Sequence, residues 1–179
     1  MNKIKKICVL IILKIKYKKN IKIPKEPFHL SLGLRNIILK KGKIVFKGKC
    51  SMGINSRFGV NNGNIIIGNN CSFNTNVLCI SMGNITIGNN VIVGPNVCIY
   101  DHDHKFNEHG VTNEYNIGSI SIGNNVWIGA GAIILKNTII EDNCIIGAGT
   151  IVQGHIPSFS IVTSDRKNII KKLEKRSKK

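Results

Sequence analysis

Two aspartates and two histidines alternate in one short run, Asp101-His102-Asp103-His104, and a third histidine, His109, follows five residues later. Imidazole is the side chain that changes charge near neutral pH, so a positioned histidine can accept a proton from a hydroxyl and return it to a leaving group. A neighbouring carboxylate can fix the ring's tautomer, and either Asp101 or Asp103 stands close enough in sequence to do so, as could a backbone carbonyl. The other chemistry open to clustered histidines is metal ligation. Three histidines around zinc would lower the pKa of bound water to about 7. His104 and His109 have a spacing suited to that, but His29 and His155 are remote in the chain. None of the six cysteines carries a mark of a covalent nucleophile, so a histidine acting directly is the simpler expectation.

The elements that hold this run are declared by a ladder on either side of it. Ile122, Ile128, Ile134, Ile140, Ile146 and Val152 stand six apart without interruption. A helix would repeat near 3.6 residues and a half-buried strand at 2, so a period of six belongs to neither alone. It fits a hexapeptide β-solenoid, in which each repeat makes one face of a triangular coil and the coils stack. Upstream the ladder continues as Ile87, Val93, Ile99, then Ile67, Phe73, Cys79, and more weakly Phe46, Met52, Phe58. The stretch GNIIIGNN (63–70) recurs as GNITIGNN (83–90), and Gly-Asn-Asn triplets mark the corners, where tolerance of positive φ is needed. The expected fold is all-β: a parallel β-helix of about five coils over 46–157. The ladder breaks once. From Ile99 the next regular position is Ile122, and the inserted loop, 101–118, carries the three histidines. Insertions at solenoid corners leave the stack intact and commonly bear function.

Composition narrows the classes. The 179 residues with one repeat array make a single domain with appendages: a basic N-terminal segment, 1–45, that caps the coils, and a tail, 158–179. A net charge of +17 invites a nucleic-acid reading, but the lysines and arginines lie mostly before residue 50 or after residue 165, with no nucleic-acid-binding motif beside them. Nucleic acid is therefore not an expected partner; CoA phosphates, an acidic glycan or an anionic membrane surface suit the charge. The six cysteines form no CxxC pair, and Cys50, Cys71 and Cys144 fall on the small-residue corner position, which suits a reducing, cytoplasmic setting. The apolar run Ile7–Leu13 between lysines is far short of the roughly 20 residues of a membrane span. It reads as an element closing the open coil end, with peripheral attachment to the inner membrane face as the functional rival. Ile169, Ile170 and Leu173 have helical spacing and predict a short basic C-terminal helix.

The run NVIVGPNVCIYDHDH, followed by SIGNNVWIGAGAIILKNTIIEDNCIIGAGTIV, resembles the maltose/galactoside O-acetyltransferase branch of the hexapeptide acyltransferases, and is similar to small acetyltransferases of surface-polysaccharide synthesis. The resemblance covers residues 60–157. It implies a left-handed β-helix, a homotrimer with sites between subunits, acetyl-CoA as donor and a hydroxyl, of a sugar or oligosaccharide, as acceptor. Carried onto this chain, the catalytic histidine falls on His104; His102 reads as loop structure or a substrate contact rather than the base. The tryptophan beside the pantetheine arm falls on Trp127, the small residues of the CoA channel on Ala130 and Ala148, and a substrate asparagine on Asn74. No metal is implied. Where that family usually has Gly-x-Pro-Ala and a basic residue, this chain reads Ser164-Asp165-Arg166-Lys167-Asn168, with Lys171 keeping the second basic position toward CoA. An acidic sugar-contacting position of the family is Met82 here. The rivals from other classes are a γ-type carbonic anhydrase-like metalloenzyme and a non-catalytic β-helix scaffold.

Overall fold

In the computed structural model, residues 3–24, 30–31 and 36–165 are described. The chain winds as a left-handed parallel β-helix with three flat faces. The first sheet stacks Ile21–Lys22, Gly42–Phe46, Gly63–Ile67, Asn84–Ile87, Ser119–Ile122, Thr138–Ile140 and His155–Ile156. The second stacks Leu30–Ser31, Cys50–Met52, Cys71–Phe73, Ile92–Val93, Trp127–Ile128, Ile145–Ile146 and Ile161–Val162. The third stacks Ile37–Leu39, Arg57–Val60, Leu78–Ser81, Cys98–Tyr100, Ile133–Ile134 and Ile151–Val152. The chain visits the three in turn, so every strand pairs with the one a full coil away.

The six-residue ladder is the inward row. Ile87 sits over Ile122 and Ile140, Val93 over Ile128 and Ile146, Ile99 over Ile134 and Val152. All nine are buried. Six complete coils form, against about five expected from the ladder, and parallel pairing already begins at Ile21. The first coil escaped the pattern because its buried residues Ile21 and Ile37 stand sixteen apart, out of step with the repeat.

Asparagine turns the corners in two ways. Asn55, Asn76 and Asn96 lie at φ of 59°, 58° and 59°, and Gly131 and Gly149 continue that column at 68° and 64°. A second column, Asn70, Asn90, Asn125 and Asn143, has φ of 58°, 56°, 55° and 60°. Its side chains also form a ladder: each amide donates to the next asparagine's Oδ1, at 2.9, 3.0 and 3.1 Å. The residue type therefore supplies both the left-handed backbone and an axial hydrogen bond between coils.

Among the described residues one α-helix, α1 (Lys3–Tyr17), forms, and it closes the N-terminal end. Leu10 and Leu13 are buried in the core, and the Tyr17 hydroxyl donates to the Ile37 carbonyl at 3.0 Å. Beneath it Phe46, Phe58 and Phe73 pack in sequence, with ring centroids 5.9 and 4.8 Å apart. A solenoid end exposes apolar surface that no further coil covers, and α1 supplies the cover. Among the described residues no helix is long and apolar enough to cross a membrane. The expected C-terminal helix, with Lys171, lies outside the described residues.

Two outcomes are expected from this architecture. Asn125→Val should destabilise the protein by about 1–2 kcal/mol more than Asn125→Gly in denaturant unfolding, because glycine keeps the positive φ and valine does not. At the last corner, Glu141 accepts from the Ser158 hydroxyl and backbone and pairs with His155, which brings its pKa from 4.5 to about 2. Its folded pKa is depressed, so its contribution is present above pH 4.5 and disappears as pH falls toward 2. The difference in thermal unfolding between wild type and Glu141→Gln should shrink over that window.

Candidate functional site

Where the third sheet would turn into the first, after Tyr100, the chain instead leaves the coil. The inserted segment was expected as a loop; it is an antiparallel hairpin, His102–Asn107 with Gly110–Ile117. Its base is anchored by Asp101, whose side chain is fully buried. One Asp101 oxygen accepts from the Ser81 hydroxyl at 2.6 Å and the Gly83 amide at 2.9 Å, and the other from the Met82 amide at 2.8 Å. The Asp101 carbonyl then accepts from Gly118 N at 2.7 Å, which closes the hairpin's two ends onto the stack. A buried carboxylate is tolerable only when its acceptor sites are filled, and these donors fill them.

The same carboxylate reaches the site. His102 Nδ1 lies 3.0 Å from Asp101 Oδ1, which holds that ring in place. His104, two residues on, projects from the same side of the strand. It pairs across the hairpin with Tyr115, the rings 4.5 Å apart, while His102 meets the same tyrosine edge-on at 5.6 Å. Tyr100 adds a fourth ring, 6.4 Å from His102. Burial and the neighbouring Cys98 push the Tyr100 hydroxyl up to about 12, so it stays protonated at neutral pH. Neither aspartate orients His104. Asp101 serves His102, and Asp103 pairs with Lys136 Nζ at 2.8 Å, which holds its carboxyl below the usual range and ties the hairpin to the next coil. Among the described residues, His104 makes no side-chain hydrogen bond.

The remaining candidates gather elsewhere. Asn74, Trp127 and Ala130 line one groove of about 570 Å³ on the outer side of the second sheet and its corner with the third, together with Ser72, Ile92 and Pro95. Trp127 sits directly above Ile92 in register and is 53% exposed, so half the indole faces solvent and does not serve the core. Ala130 and Ala148 stack on successive coils, Gly149 N donating to Ala130 O at 2.7 Å. The coils approach closely there: a Cβ on Gly94 would stand 2.7 Å from Ala130 N, and one on Gly129 2.6 Å from Ala148 N. Asn74 spends its Oδ1 on the Thr75 amide at 2.7 Å, which leaves its NH₂ group toward the groove's solvent.

One chain thus presents a histidine hairpin on one corner and a groove on another. The structure brings together Asn74, Trp127 and Ala130, and separately His102 and His104, but not the two sets. Among the described residues no three His, Cys, Asp or Glu side chains converge as a metal site, and His104 and His109 have no third ligand. Sequence reasoning missed Tyr115 and the Ser81–Asp101 anchor. Tyr115 is legible only once strand Gly110–Ile117 is seen to fold back on His104.

A model of the bacterial transferase hexapeptide (six repeats) matches residues 119–154. No curated protein matches the sequence. Among solved structures, a maltose O-acetyltransferase from Clostridium difficile 630 is 24% identical with a TM-score of 0.50, over 90% of this chain and 75% of that one. A hexapeptide-repeat acetyltransferase from Vibrio cholerae O1 biovar eltor, solved with acetyl coenzyme A, is 24% identical with a TM-score of 0.56, over 65% of this chain and 64% of that one. The polySia-specific acetyltransferase NeuO is 18% identical with a TM-score of 0.56, over 85% and 82%. These likenesses establish the shared hexapeptide β-helix fold.

Asp101→Ala should strand the Ser81, Met82 and Gly83 donors and release His102, at a cost of about 3 kcal/mol or more. Limited trypsinolysis at Lys105 should accelerate in that variant well before the coils unfold; unchanged cleavage would show that the hairpin is held by other contacts.

Proposed function

We propose that this protein is an acetyl-CoA-dependent O-acetyltransferase that acts on a sugar hydroxyl in glycan or surface-polysaccharide synthesis, in the cytoplasm, as a homotrimer. The observation that carries the proposal is the separation of the two half-sites on different corners of a triangular solenoid. Threefold packing of such prisms would bring the histidine hairpin of one chain to the tryptophan groove of its neighbour. The hairpin also ends in Phe106 and Val111, 79% and 74% exposed, surface that a neighbouring chain would cover. The solved acetyltransferases of the same fold, one of them holding acetyl coenzyme A, support the choice of donor.

A hydroxyl is a poor nucleophile at neutral pH, whereas a thioester is already activated. In this reading His104 takes the acceptor's proton as the oxygen attacks the thioester carbonyl. Backbone N–H groups hold the resulting oxyanion, since Ala130 offers no hydroxyl. The C–S bond then breaks and His104 returns the proton to the thiolate, so that an acetyl ester and a free thiol leave. Trp127 would flank the pantetheine arm, the Ala130–Ala148 column would leave room for it, and Lys171 would meet a CoA phosphate. Asn74 and His102 would hold the acceptor. A second assignment has its own support: of His102 and His104, it is His102 that carries a carboxylate partner, the arrangement that favours a base, with His104 then contacting the acceptor.

Thiol release from acetyl-CoA over a panel of sugars and oligosaccharides decides these points. His104→Ala should lower turnover about 10²–10⁴-fold, with His102→Ala acting mainly on the acceptor's KM. The reverse pattern would move the base to His102. Trp127→Ala should raise the KM for acetyl-CoA. If calorimetry detects no CoA binding to the wild type, the enzyme reading fails; if light scattering finds a monomer, the shared site fails.

A further inference from the structure

Helix α1 has two apolar faces, and the solenoid uses only one. Val9, Leu10, Leu13 and Tyr17 face the coils. At 3.6 residues per turn, Ile4, Cys8, Ile11 and Ile15 share the opposite side, with Ile7 and Ile12 at its margins. Ile4, Ile11 and Ile15 are 72%, 52% and 69% exposed. The outward stripe takes no part in covering the coil end, where Leu10 and Leu13 are buried with Val9 and Tyr17 packed beside them. Lysines border it: Lys14 on one side, Lys5 and Lys16 on the other, all exposed.

The helix's C-terminal end adds a second, independent feature. Lys16, Lys18, Lys19 and Lys40, with Tyr17 and Asn20, line an open cleft of about 530 Å³. Asn20 pins its floor by donating to the Gly42 carbonyl at 2.7 Å, and Lys16 rides over the Tyr17 ring at 5.1 Å. Four lysines among the residues lining one cleft give it the positive charge that suits a phosphate. Lys16 belongs both to the border of the apolar stripe and to the lining of the cleft, and the pair of features matches one surface in particular, which offers both an acyl boundary and anionic headgroups. A protein partner would have to supply an apolar strip and a phosphate in the same order.

We infer that α1 is an interfacial membrane helix: its isoleucine face lies in the headgroup–acyl boundary of an anionic bilayer, and the Lys16/Lys18/Lys19/Lys40 cleft takes a lipid phosphate. The helix lies on the bilayer and does not cross it. The solenoid then stands with its N-terminal end on the membrane, and its hairpin and groove project from the sides. In the trimer proposed above, three such helices would share one end and bind with avidity. The inference itself stands without the enzyme reading, since it rests on α1 and its cleft alone.

Co-sedimentation of the full chain with phosphatidylcholine vesicles, with and without phosphatidylglycerol, tests it. Wild type should bind the anionic vesicles and leave the neutral ones. Ile11→Glu with Ile15→Glu should weaken partitioning at least about tenfold, and Lys18→Glu with Lys19→Glu should weaken it roughly fivefold per lysine and blunt its salt dependence. Both variants should keep the wild-type unfolding temperature and the same thiol release in solution. Inorganic phosphate at matched ionic strength should not release the protein, because the isoleucine face holds it too; full release by phosphate would reduce the site to one for free phosphate and overturn the inference. Equal vesicle binding by wild type and the isoleucine variant would overturn it as well. A changed oligomeric mass in that variant, with vesicle binding intact, would assign the face to a second copy of this chain.

Discussion

Parallel register between coils is the constraint on which everything else rests. A strand's side chains alternate, so a slip of one residue would turn Ile128 outward and Trp127 inward. The slip is prevented twice over. Inward aliphatics stack in unbroken rows, and the asparagine column, hydrogen-bonded amide to amide along the axis, admits only one alignment of successive corners. With register settled, each outward residue has a fixed place on a rigid wall. Trp127 and Ala130 are then held at a groove by the same interactions that hold the core.

That rigidity explains how a hairpin can leave the stack without cost to it. Coil contacts are local, and the first-sheet strands of the coils on either side of the excursion, Asn84–Ile87 and Ser119–Ile122, still pair directly. The excursion itself needs an anchor. A single buried carboxylate supplies it by joining three donors of the coil below to a histidine of the hairpin. Asp101 therefore links fold to site: the same group that ends the regular corner also fixes the first imidazole ring. The tyrosines on either side complete a small aromatic surface around the two histidines.

Much of this was legible in the residues. Ile122 to Val152 at a period of six named the solenoid and the gap after Ile99 named the insertion; Trp127 was reached through the family resemblance, and its outward indole is a finding of the structure. The first coil was not legible, because Ile21 and Ile37 follow no six-residue step and are recruited by Ile44 and Phe58 of the next coil. Nor was the hairpin, whose strands carry no alternation of apolar and polar residues. Its pairing comes from the chain's need to return to the corner it left.

Sequence alone determined the repeat, its corners and the histidine-bearing break, because each is written in local residue types with a fixed period. Only the tertiary structure decided which aspartate serves which histidine: Asp101 faces inward to Ser81 and His102, while Asp103 faces out to Lys136. It also decided that α1 buries Leu10 and leaves Ile11 open, and that the hairpin and the groove occupy different corners. Those outcomes depend on which residues meet across coils about twenty positions apart, a distance that no local pattern spans.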